Sequence, residues 1–110
     1  MNAESLECIR NLRRGGVVLY APWGGPGAAA VKKLKSAWDA AGLPGTELHI
    51  LDSDLHAFLH EMPELSGKIH GYAEAFHVRN GVIGGLRVLG KSDGADDAAI
   101  DAFIAEARLP

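Results

Sequence analysis

Cys8 is the one cysteine in 110 residues, so a single chain can form no disulfide, no Cys-pair metal site and no dithiol redox couple. Its place on an amphipathic stretch reads as a small core thiol. Five histidines raise metal chemistry, and His56 and His60, four apart, share a helix face, with His49, His70 and His77 elsewhere. Two nitrogens do not hold an ion, and the spacing places no third ligand, so neither a metal nor a cofactor is expected. No Ser-His-Asp or Cys-His arrangement supports a nucleophile, and the sequence identifies no general base as partner to Tyr20 or Tyr72. Gly24-Gly25-Pro26-Gly27, ahead of a helix, is different. It leaves free backbone N–H groups at the positive end of a helix dipole, where a carboxylate, sulfate or phosphate can sit. The alternative is a turn whose glycines bind nothing. No Lys-Ser/Thr pair follows Gly27, so this is not a Walker loop. Trp23 beside it, with Pro22 and Pro26, can make an apolar patch for an extended segment of a partner, or Trp23 can fold back onto its own domain.

These residues need a scaffold, and the chain has one domain's worth of material. It is 47% apolar and 23% charged, with 11 Lys plus Arg against 14 Asp plus Glu, for a net charge of −3. Arg13-Arg14 and Lys32-Lys33-Lys35 are too short to make a phosphate-neutralising surface, which argues against nucleic acid or anionic lipid as partner. Residues 1–5 carry no basic segment leading into an apolar stretch, and no run approaches ~18 apolar residues, so a cytoplasmic location is expected.

Leu6, Ile9 and Leu12 predict a helix over Ala3–Arg14, stopped by Gly15-Gly16. Val17 to Ala21 is continuously apolar, as in a strand covered on both faces. Pro22 to Gly27 reads as a turn, and Val31, Leu34, Trp38 and Ala41 put a helix over Ala28–Ala41, closed by Gly42 to Gly45. Glu47 to Leu51 is a second strand, parallel to the first because a helix connects them. Asp52-Ser53-Asp54 supply N-cap chemistry for a helix with Leu55, Phe58, Leu59 and Met62, stopped at Pro63; Leu65 to Lys68 is loop. Tyr72 to Val78 and Val82 to Leu89 are antiparallel strands joined at Asn80-Gly81. Gly90 to Gly94 is loop, and Asp96-Asp97 lead a helix burying Ile100, Phe103, Ile104 and Ala107. The order predicts an α/β fold, one domain over 1–110, with helices on both faces of a four-stranded mixed sheet.

Val17-Val18-Leu19-Tyr20-Ala21-Pro22-Trp23-Gly24-Gly25-Pro26-Gly27 resembles the strand and active-site loop of thioredoxins, whose last five positions read Trp-Cys-Gly-Pro-Cys. Ile69 to Glu74 is similar to the family's glycine, apolar residue, cis-proline and threonine, followed by a strand and an Asn-Gly hairpin. The resemblance covers nearly the whole chain and implies the thioredoxin fold. It also implies losses. Gly24 and Gly27 stand where the two cysteines would be, Val18 where a buried aspartate assists proton transfer, and Ala73 where the cis-proline sits. A non-proline cis bond costs ~2.5–4 kcal/mol, so the bond before Ala73 is expected to be trans. Laboratory removal of the cysteines would normally leave Ser or Ala and would not reach Val18 or Ala73.

Thiol exchange needs an attacking thiolate and a resolving thiol, and neither position has a side chain. The expected function is therefore not enzymatic: a redox-inactive, chaperone-like module binding a protein or peptide in the ancestral groove through Pro22, Trp23, Gly24, Gly25, Pro26, Gly27, Tyr72, Ala73 and Glu74. Glu74 reads either as a group facing the partner or as a rim residue in water, and His77, deeper in the same strand, as a buried neutral imidazole. Two alternatives are a small-molecule or anion site at the Gly24–Gly27 loop and a structural homo-oligomer formed through a sheet edge or the Trp23 surface.

Overall fold

The apolar run Val17-Val18-Leu19 is 0% exposed throughout, and its side chains alternate between two cores. It lies at the centre of a sheet in a computed structural model that describes residues 11–21, 25–43, 45–52, 63, 67, 72–91 and 94–108. The elements are β1 (Arg14–Tyr20), α1 (Gly25–Ala41), β2 (Glu47–Asp52), β3 (Tyr72–Arg79), β4 (Val82–Val88), β5 (Gly90–Lys91), β6 (Gly94–Ala95) and α2 (Asp97–Ala107). The main sheet runs β2-β1-β3-β4, with β1 antiparallel to β3; β1 is parallel to β2 and β3 antiparallel to β4, the two pairings that the sequence predicts. Val18, Ala73 and Ala75 face α1 and α2, where Leu34, Trp38, Ile100, Phe103 and Ile104 close the larger core. Val17, Leu19, Leu51, Phe76 and Val78 form a second core on the other face. Ile100, Phe103, Ile104 and Ala107 are the buried positions of α2, as their spacing requires.

Three local expectations fail. Gly15-Gly16 do not stop a helix: they are strand residues of β1, paired with Glu47 and Leu48, and Arg14 before them is strand as well. A Cβ on Gly16 would lie 2.8 Å from Trp38 Cη2 and 3.3 Å from Phe103 Cε2. Glycine is there so that the Trp38–Phe103 pair, with ring centroids 6.1 Å apart, can lie against the strand. α1 begins at Gly25 rather than Ala28. Pro26 fits its first turn because an N–H there has no intrahelical acceptor in any case. Gly90 to Gly94 is not simple loop, since Gly90–Lys91 pairs with Gly94–Ala95 as a small ribbon. Residues 1–10, including Cys8, and the helix expected over Leu55–Met62 lie outside the described residues.

The hairpin turn holds as expected, with Asn80 at φ 52° and Gly81 at φ 79°. Their N–H groups donate to the carbonyls of Arg13 (2.7 Å) and Leu12 (2.9 Å), tying down the segment that enters β1. Asp96 caps α2 by accepting from the Ala99 N–H at 3.2 Å. At the other end α2 has no basic residue in its last turn. The strands supply the charge: Arg14 donates to the Ala107 carbonyl and Arg79 to the Glu106 carbonyl, each at 2.6 Å, and Arg87 pairs with the Glu106 carboxylate.

Candidate functional site

The start of β3 meets the end of β1 and the end of β4, because Tyr20 pairs with Tyr72, Leu19 with Glu74, and Glu74 with Val88. Ala73 is left over between two paired residues, a bulge. It takes a left-handed backbone, φ 62°, and every described peptide bond, Tyr72–Ala73 included, is trans. Left-handed geometry costs an alanine about 1–2 kcal/mol, so its surroundings must hold it. Its methyl is fully buried in the core that contains Ala30 and Val31 of α1, and its carbonyl accepts from the Leu89 N–H at 3.0 Å. Glu74 Oε2 accepts from the Tyr72 N–H at 3.0 Å, closing a short ring around Ala73.

Glu74 is therefore not a rim residue in water. It is 0% exposed and supports the bulge from beneath. Removing the carboxylate leaves the Tyr72 N–H without this acceptor, which costs about 1–3 kcal/mol. Glu74→Ala is expected to lower stability by that amount in urea unfolding. Glu74→Gln, which keeps an acceptor at the same reach, should retain most of it.

Of the nine groove residues read from the sequence, the structure brings Tyr72, Ala73 and Glu74 together at this end of the sheet. Tyr72 is 51% exposed, and Val88, the cross-strand partner of Glu74, which the sequence reading did not single out, is 49% exposed. Ala73 and Glu74 are buried behind them. Gly25, Pro26 and Gly27 form the first turn of α1; Gly25 is exposed and a Cβ there would meet nothing within 4 Å, whereas Gly27 is buried. That turn holds no acidic side chain to compete for its N–H groups. Pro22, Trp23 and Gly24 lie outside the described residues.

His77 is buried as expected, its ring stacked on Phe103 with centroids 4.1 Å apart and planes 14° from parallel. Burial holds its pKa below 6.5, with Arg79 and Arg87 pushing the same way and Glu106 and the Phe103 backbone opposing. His49 is also buried, its Nε2 3.6 Å from the Glu47 carboxylate. Among the described residues no three His, Cys, Asp or Glu side chains gather to hold a metal, and no helix is long and apolar enough to cross a membrane. His56, His60 and His70 lie outside the described residues.

No family model matches the sequence, and no curated protein matches it. Solved structures do. The chain is similar to the thioredoxin of Malassezia sympodialis (17% identity, TM-score 0.73, covering 97% of this chain and 91% of that one). It is likewise similar to the thioredoxins of Trypanosoma brucei brucei (16%, TM-score 0.69, 98% and 87%) and Plasmodium falciparum (17%, TM-score 0.68, 91% and 87%). At such identities the likeness is one of fold.

Proposed function

We propose that this chain, a thioredoxin fold, is a redox-inactive module that binds an extended segment of a protein or peptide beside Tyr72 and the first turn of α1, in the cytoplasm. The observation that carries the loss of dithiol chemistry is the cysteine count: one, in all 110 residues. A mixed disulfide formed by one thiol has no second thiol in the chain to resolve it. Binding is supported by the half-exposed Tyr72 and Val88, on the paired ends of β3 and β4. An exposed aromatic ring is a favoured anchor for a partner's chain.

Insulin-disulfide reduction by the purified protein should stay at background at every concentration, and turnover proportional to protein would overturn the reading. For binding, the protein and its Trp23→Ala, Tyr72→Ala variant are compared in lysate capture. The captured partner is then purified and titrated against both by calorimetry. A partner whose affinity falls about tenfold or more in the variant supports the groove, and equal affinity for both places the contact elsewhere.

The open space at Gly25 favours one second reading, an anion at the first turn of α1. Sulfate would then raise the melting temperature of the protein and leave that of Gly25→Leu unchanged.

A further inference from the structure

We propose that His77 is a proton-operated latch between β3 and α2: neutral, its ring lies flat on Phe103; protonated, it swings into the cleft over Gly84 toward the Glu106 carboxylate, and the last turns of α2 loosen. The latch is separate from the Tyr72 groove and does not depend on it.

The stacked position suits only the neutral ring. His77 is 8% exposed, and its Nε2 has no hydrogen-bond partner among the described residues. A second ring proton there would put a donor on the unpartnered Nε2 and a charge that Glu106 and the hydrogen bond to the Phe103 backbone offset only in part, since burial is the larger effect. The charged groups around it come from three elements. Arg79 on β3 and Arg87 on β4 repel an imidazolium, and Glu106 on α2 attracts it, though Arg87 already shares that carboxylate. β1 behind presents Gly16, paired with His77, and α1 presents Trp38, so neither adds charge. Arg14, paired with Arg79, is directed at the Ala107 carbonyl.

The protonated ring has somewhere to go. Gly84 is the cross-strand partner of His77, and a Cβ there would meet nothing within 4 Å. The resulting cleft, about 290 Å³, is lined by His77, Arg79, Val82, Gly84 and Glu106. An imidazolium in it keeps contact with water and gains the Glu106 carboxylate, at the expense of Arg87. That removes from α2 both the Phe103 stack and part of the Arg87 pairing, two of the contacts that hold residues 103–107 to the sheet.

The direction in pH follows from burial. The folded-state pKa lies below the unfolded value of 6.5, so the stability contributed by the stacked state is complete above pH 6.5 and is lost as pH falls through the lowered value.

The test is an NMR titration of the intact chain from about pH 8 to about pH 5, following the His77 ring and the Phe103 ring together. The expected result is one transition, below pH 6.5, in which His77 titrates, the Phe103 ring-current shifts collapse, and amide exchange over 103–107 rises about tenfold. His77→Phe should keep the stack and show no transition. Gly84→Val puts side-chain bulk where a Cβ meets nothing within 4 Å, and should move the midpoint down by about half a pH unit or more. The latch is overturned if His77 titrates with Phe103 unchanged, if His77 does not titrate before the whole chain unfolds, or if Gly84→Val leaves the midpoint in place. Because residue 84 is exposed, that last arm decides the matter even if His77→Phe fails to fold.

Discussion

Phe103→Ala is expected to remove about 3–5 kcal/mol of stability, a large part of the ~5–15 kcal/mol typical of a whole domain. Phe103 is 0% exposed and is gripped from two sides, by Trp38 across a tilted 6.1 Å contact and by His77 stacked at 4.1 Å. The strand behind cannot collapse into the space, because β1 is held between β2 and β3. At about 4–5 °C per kcal/mol for a chain of this size, the melting temperature should drop by roughly 12–25 °C. The same spot should resist filling from behind. Gly16→Ala puts a methyl 2.8 Å from the Trp38 ring and should cost about 1–3 kcal/mol. Calorimetry of both variants checks the point: a loss below about 1 kcal/mol for Phe103→Ala would mean the core around it is not close-packed.

Ala73→Pro is expected to cost about 3 kcal/mol or more, since the proline ring fixes φ near −65°, roughly 130° from the observed 62°. A proline does not fit here because the bulge, the Glu74–Tyr72 bond and the Leu89–Ala73 bond are built around a left-handed residue. Ala73→Gly should be close to neutral. Glycine relieves about 1–2 kcal/mol of left-handed strain, and this offsets about 0.8 kcal/mol for the buried methyl and about 0.5–1 kcal/mol of added chain entropy. Ala75, two residues on and equally buried with no positive φ, is the control: Ala75→Gly should lose about 1.3–1.8 kcal/mol with nothing to offset it. Urea unfolding of the three variants separates these outcomes. Equal losses for Ala73→Gly and Ala75→Gly would contradict the left-handed backbone.

The sequence alone determined the elements whose information is local. A continuous apolar run placed β1 in the middle of the sheet, Asn80-Gly81 placed the hairpin, and Ile100, Phe103, Ile104 and Ala107 marked the inner face of α2, because periodicity and turn chemistry act over a few residues. The candidate site was legible only in part: Tyr72 is exposed, but Glu74, read either as a group facing a partner or as a rim acid in water, is buried. Nothing in an alanine signals a left-handed backbone, and nothing in Gly15-Gly16 distinguishes a helix stop from a strand making room for Trp38. Only the tertiary structure decided these, along with the arginines that cap α2 from as far as 93 positions away. Burial, strain and charge pairing at one residue are set by what the rest of the chain packs against it, and that neighbour is not encoded nearby.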